Sequence, residues 1–345
     1  MKKLMNTLYV TSANRYLSLD GENVVILEEQ KEIGRVPLHN LEGIVTFGYT
    51  GASPRLMGTC AQKNISLTFM TEHGRFLARV CGEVRGNVTL RRQQYRIADN
   101  TEKKIEVARN CIVGKVYNSR WILERAIRDY PLRLDVEKIK EKSSFLDSRL
   151  KEIRTCESPD KLLGLEGESA SIYFSVFDEL ILQQKEVFYF HGRNRRPPLD
   201  NVNAMLSFAY SLLAGICTSA LETVGLDPYV GFFHTDRPGR TSLALDIMEE
   251  LRSVMADRFV LTLINKRIVD SSGFFQKENG QLSLWMMIRE RNFSLHGRRR
   301  KRKSLHILFW VKKWSGEWYP MFRQCFWPDM FVEIWKSIRH FCGSR

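Results

Sequence analysis

The strongest constraint on this chain is a change of hydrophobic period near residue 86. Before that point apolar and polar residues alternate; beyond it apolar residues recur every three to four positions. Alternation places side chains on the two faces of a strand, whereas spacing of three to four gathers them on one face of a helix. The predicted fold class is therefore α+β: an N-terminal β-domain over 1–90, β-sandwich-like with one short helix, then an all-α C-terminal catalytic domain over 91–280.

Local signals fill in both parts. TLYVT (7–11) and YLSLDGENVVILEE (16–29) read as strands, with Asp20-Gly21 turning a hairpin. EGIVTFGY (42–49) and ISLTFMTEHGRFLARV (65–80) add strands, the second bent at His73-Gly74. Ser53 followed by Pro54 opens a short helix over 53–64. Beyond Gly86 the helical pattern runs through 106–130, 136–153 and 158–182, the last opened by Ser158-Pro159-Asp160. Residues 201–225 form a long apolar helix suited to the centre of a helical domain, and two further helices are expected near 242–255 and 256–268.

Charge needs dissection before it is read as a DNA footprint. The chain of 345 residues carries a formal net charge of +14. Residues 281–345 hold 14 Lys+Arg against 4 Asp+Glu, so residues 1–280 hold 39 against 35 and are only mildly basic. Seven scattered cysteines without a CxxC pair argue for a reducing cytoplasm. No run of about 18 apolar residues suggests a membrane span, and the basic start MKKLMNTLYV lacks the apolar core of a signal peptide. P-loop, GxSxG, HExxH and aromatic RNA-binding signatures are missing from the sequence.

Three residues stand out as a candidate metal site: Glu166 in GLEGES, His234 in GFFHTDRPGR and Glu249 in LALDIMEELR. Two carboxylates and an imidazole are an incomplete ligand set for a hard divalent cation, leaving positions for water and phosphate oxygens. Gly164 and Gly167 leave room for a ligand to approach near Glu166. Asp246 and Glu249, three apart, share a helical face, close enough to share a cation or orient one another. Each feature also has a plainer reading: a surface glutamate near a helix start, an exposed loop histidine, a solvated acidic face. Arg237 and Arg240 flank the histidine, and Arg193, Arg195 and Arg196 crowd the loop before the central helix; their forks match phosphate, or simply form a basic loop. Asn201 and Asn203 read as a helix cap, with Asn203 turned towards the site as the alternative. His191 is a weaker ligand candidate, having no carboxylate nearby in sequence.

The stretches LLGLEGESASIYF, GRNRRPPLDNVNAMLSFAYSLL and GLDPYVGFFHTDRPGRTSLALDIMEELRSVMADRFVLTLINKR, with the hairpin-rich opening, resemble the CRISPR-associated integrase family "Cas one", most closely its type I-C (Dvulg) branch. The resemblance covers roughly residues 5–280. It implies a metal-dependent DNA endonuclease and integrase of spacer acquisition that joins DNA 3′-hydroxyl ends to the CRISPR repeat by transesterification. It also implies Mg²⁺ or Mn²⁺ held by Glu166, His234 and Glu249, with Asp246 in a supporting acidic position and Arg237 in a DNA-contacting one. Implied partners are double-stranded DNA, a second copy joined through the β-domains, and a small ferredoxin-like adaptation subunit, with no membrane. The rival readings are a non-catalytic DNA-binding scaffold and a structure-selective repair nuclease.

After about Gly280 the resemblance stops. Six of the seven tryptophans lie in the last 61 residues, among basic runs such as HGRRRKRK. Trp285-Met286-Met287 is encoded only by TGG ATG ATG, which one base earlier reads NTG GAT GAT. In that frame, with permitted codons, FWPDMFVEIWKSIRHFCGS becomes LLARYVRGDLEEYPPFLWK, the kind of ending the resemblance calls for. Residues 281–345 are therefore read as a frameshifted, non-native tail with little packed structure past 285.

Overall fold

The computed structural model describes residues 7–10, 12–41, 43–63, 65–72, 76–82, 88–194, 198–270, 274–276, 282–284 and 307–309. The chain divides into two compact units, one of residues 1–85 with 294–345 and one of residues 86–293.

The first unit is built on two sheets. Strands β2 (Arg15–Asp20), β3 (Asn23–Glu28) and β4 (Lys31–Pro37) form an antiparallel meander with a bulge between Ile26 and Leu27. The β2–β3 turn follows Asp20 as the sequence predicts, with Gly21 at φ +57°, a conformation glycine adopts freely. The second sheet holds β1 (Thr7–Val10), β5 (Gly43–Phe47), β6 (Ser66–Met70) and β7 (Phe76–Val80), closed beside β1 by β10 (Ile307–Phe309). In this sheet β1–β5 and β5–β6 pair in parallel, which a run of hairpins would not produce. The connection from β5 to β6 carries helix α1 (Pro54–Gln62); Ser53 caps it by accepting from the Leu56 amide at 3.2 Å. The alternating inward residues of both sheets join α1 in one apolar core that includes Leu17, Ile26, Ile44, Leu56 and Leu67. The His73-Gly74 bend lies outside the described residues.

The second unit is helical. Its helices are α2 (Val88–Asp99), α3 (Thr101–Asp129), α4 (Val136–Arg154), α5 (Pro159–Ser175), α6 (Asn201–Val224), α7 (Ser242–Leu251) and α8 (Arg258–Asn265). Side-chain caps start most of them: Asn100 for α3, Asp135 for α4, Ser158 for α5 and Asp200 for α6. Helix α6 is apolar and long enough over Asn201–Glu222 to cross a membrane by length and composition, and half of its most apolar stretch is buried, as in the core helix of a folded domain.

Three expectations change here. The helix α2 was not anticipated. The last two helices do not break near 255; a π-helical turn over Arg252–Asp257 links α7 directly to α8. The unit is also not all-α, because β8 (Phe274–Gln276) and β9 (Leu282–Leu284) form an antiparallel hairpin from short β-prone apolar runs. Beyond residue 285, β10 is the described part of the tail; the rest of that stretch lies outside the described residues.

Candidate active site

The helical unit buries charge at one place. Lys115 projects from the middle of α3, on the same stripe as buried Ile112, Val116 and Ser119. Its ammonium hydrogen-bonds Glu166 of α5 and lies 2.6 Å from Glu249 Oε2 of α7. Three helices distant in sequence thus meet through one cation. Lys115 and Glu249 are 9 % and 8 % exposed in their side chains, so their charges are held largely out of water. Charges so buried persist when paired, since leaving one alone costs several kcal/mol, on the order of 3–5.

Glu249 has a second cation. Arg252, at the start of the π-helical turn, donates from Nη1 to both of its carboxylate oxygens at 3.2 and 3.1 Å. Burial pushes the Glu249 carboxyl up, but Lys115 and Arg252 outweigh it and hold the group at about 2. The Arg252 guanidinium lies 4.2 Å from the ring centre of Tyr210, whose hydroxyl donates to the buried Asp257. Burial raises Asp257 to about 6 against the pull of Arg252 and Tyr210.

His234 is set by Asp246. This carboxylate is fully buried and accepts the backbone amides of Phe232, Phe233 and His234 at 2.6, 2.9 and 2.9 Å. Its Oδ1 also lies 2.7 Å from His234 Nδ1. A carboxylate partner selects hydrogen on Nδ1, which leaves Nε2 as the nitrogen offered to a ligand. Gly231 lets this loop close on α7, for a Cβ there would lie 2.7 Å from Ser242 Cβ. Asp246 and Glu249 therefore divide the labour of one helix face: the first orients the histidine, the second faces Lys115 and Arg252. His234 stands near enough to Glu249 to lower its pKa further.

The other expected residues separate. Arg237 is exposed and Arg240 half-buried on the turn after His234. Arg193 is not a free phosphate fork: it donates to Asn203 Oδ1 at 2.7 Å and Ser207 Oγ at 3.1 Å, and its guanidinium lies 5.1 Å from the Tyr210 ring centre. Asn203 is wholly buried and turned to the loop before α6, bonding Arg193, the Asn194 amide, Gly192 O and Asp200. The cap of α6 is Asp200, not the asparagine pair, because its side chain accepts from the Asn203 amide at 2.7 Å. Arg195 and Arg196 lie outside the described residues. Glu166 sits inside α5 rather than at its start, and a Cβ on Gly164 or Gly167 would meet nothing.

Among the described residues no group of three or more His, Cys, Asp and Glu is gathered to hold a metal ion. The space between Glu166 and Glu249 is taken by the Lys115 ammonium, a stand-in cation that both carboxylates already face. By donor type two carboxylates and an imidazole suit Mg²⁺ or Mn²⁺, with His234 within electrostatic reach of Glu249. Lys115, Arg252, Tyr210 and Asp257 were not anticipated; a lysine on an apolar helix stripe was the available signal for the first.

Comparison with known proteins places these features in a family. The family model for CRISPR associated protein Cas1 matches residues 8–297, running past the limit near Gly280 read from the sequence. The CRISPR-associated endonuclease Cas1 1 of Chlorobaculum tepidum is 48 % identical over 284 residues, 82 % of this chain and 83 % of its own. A CAS1 protein from Thermotoga maritima shares the fold with a TM-score of 0.74 at 24 % identity, over 99 % of this chain and 98 % of its own. A casposase bound to its integration product matches with a TM-score of 0.67 at 26 % identity, over 81 % and 78 %.

Proposed function

The chain belongs to the Cas1 family of CRISPR-associated proteins, and from that premise we propose that Glu166, His234 and Glu249 are the metal ligands of a DNA endonuclease and integrase of spacer acquisition. The observation that carries this is the convergence of two carboxylates, the part-buried Glu166 of α5 and the buried Glu249 of α7, on one cation, near a histidine whose Nδ1 is committed to Asp246.

The reaction is transesterification: the 3′-hydroxyl of a short DNA duplex attacks a phosphodiester at the edge of a CRISPR repeat and the old 3′ oxygen leaves. Hydrolysis puts water in place of the hydroxyl. Bound Mg²⁺ or Mn²⁺ supplies neutralisation of phosphate charge and a more acidic attacking oxygen. The residues of the chain supply the rest. Asp246 fixes the ring of His234, Arg252 steadies Glu249 by donating to both of its oxygens, and Arg237 and Arg240 present guanidinium groups to DNA phosphates beside the histidine. Arg193 has a different part, holding the loop before α6 onto Tyr210.

The partners that go with this reading are double-stranded DNA, a second copy of the chain, and a small ferredoxin-like adaptation subunit, in the cytoplasm. We assign the chain to the type I-C branch on the wording of its motifs, and residues from about 281 onward to a shifted reading frame on the Trp and Met codons; sequencing the gene tests the latter, and an intact frame refutes it. The catalytic reading is tested by metal-dependent strand transfer. Glu166→Ala and His234→Ala are each expected to lower the rate by about 100-fold or more, with circular dichroism unchanged. Parental activity in both variants removes these residues from the chemistry and favours the scaffold reading.

A further inference from the structure

Lys115 does something that an ordinary ion pair does not: it occupies the point on which two carboxylates converge, one from each of two helices. Glu166 is 18 % exposed in its side chain and Glu249 8 %, so their mutual repulsion is poorly screened and needs a cation between them. A lysine ammonium is a point charge on a flexible four-carbon stem, able to hold such a place and to leave it. A divalent cation bound by the same oxygens would bring like charge against the ammonium and weaken its hold on that point.

A place to go lies alongside. Ser119, Ser169, Tyr173, Arg252, Ser253 and Asp257 line a small cavity that Lys115 itself borders. The Tyr173 hydroxyl there is buried and faces the carboxyl of Asp257, its hydrogen-bond partner. An ammonium arriving in the cavity would meet oxygen acceptors on Tyr173, Asp257 and the serines, which a buried cation needs in place of water.

We propose that Lys115 is a resident counter-cation: it holds Glu166 and Glu249 together in the metal-free protein, competes directly with the divalent ion for them, and swings into the Tyr173–Asp257 cavity when that ion binds. The proposal rests on the metal-centre reading above. It makes Lys115 a positioning residue that weakens metal binding in exchange for a site assembled before the metal arrives.

The test is Mn²⁺ binding by the full-length protein, followed by electron paramagnetic resonance, for the parent, Lys115→Met and Glu166→Gln. Lys115→Met is expected to bind Mn²⁺ about tenfold or more tightly than the parent, and Glu166→Gln to lose most binding. If Lys115→Met binds no tighter while Glu166→Gln fails to bind, the metal centre stands and the competitor role is overturned. If Glu166→Gln binds like the parent, the metal-centre reading itself falls, and the proposal with it. Should Lys115→Met not fold, crystals of the parent grown with and without Mn²⁺ decide. Nζ is expected between the carboxylates without Mn²⁺ and beside Tyr173 with it; an ammonium between the carboxylates in both overturns the proposal.

Discussion

The two units bury different things. The core of the N-terminal unit is Leu, Ile, Val and Ala with one cysteine, and its ion pairs, such as Arg35 with Asp20 and Glu32, stand at the surface. Its one buried charge among the described residues, Arg15, pairs with a half-exposed Glu28. The helical unit buries Lys115, Asp200, Asp246, Glu249, Arg252 and Asp257. Apolar burial stabilises a fold at roughly 25 cal/mol per Å²; a buried ion pair often does no better than well-packed hydrocarbon. A unit that carries so many buried charges is spending stability on arrangement, and strongly perturbed groups gathered in one place mark chemistry.

Four substitutions sharpen or break that contrast. The largest effect is expected from Asp246→Ala, which strips four donors of one buried acceptor; about 3–5 kcal/mol should be lost in urea melts. A loss under 1 kcal/mol would mean that the His234 loop is not held by this carboxylate. In the other unit, Leu67→Ala should cost about 3 kcal/mol by leaving a cavity in a dry core, with Mn²⁺ affinity unchanged; altered affinity would deny the division of roles.

Third comes Asp257. Its folded carboxyl titrates at about 6 against an ordinary 3.8, so the folded protein holds the proton more tightly than the unfolded chain. The stability this lends is complete below 3.8 and is lost as pH rises through about 6. Relative to Asp257→Asn, the parent should therefore lose about 2 kcal/mol between pH 4 and pH 7; a flat difference refutes it. Glu249 runs oppositely, its contribution being present above 4.5 and lost as pH falls towards about 2. Smallest of all, Arg35→Ala should leave the melting temperature unchanged within error, since exposed pairs contribute little.

Local signals made much of the fold legible. The Asp20-Gly21 turn and the Ser53-Pro54 helix start each act within a few residues, so the sequence displays them. The parallel pairing of β1, β5 and β6 depends on contacts far apart in the chain and leaves no local trace. Helix α2, VTLRRQQYRIAD, is too polar for its apolar stripe to stand out, with Ile97 its buried hydrophobic residue. At the site, the spacing of Asp246 and Glu249 announced a shared helix face but not that the two point at different partners. Arg193 reads as a phosphate fork and Asn203 as a helix-start asparagine that can turn to the site, because residue type alone does not show partners; hydrogen bonds to each other and to the loop hold them at the start of α6. Lone lysines in helices usually face water, so the sequence around Lys115 does not mark it as buried.

The π-helical turn at Arg252–Asp257 has a consequence for what the gene can tolerate. Each residue added to or removed from a helix rotates everything beyond it by about 100°. The turn thus sets the phase between Glu249 on α7 and the buried row Val260, Leu261 and Ile264 on α8. Deleting one residue there would leave Glu166, His234 and Glu249 unchanged yet swing that row away from its packing. Over these six positions the length of the segment is a tighter specification than its composition.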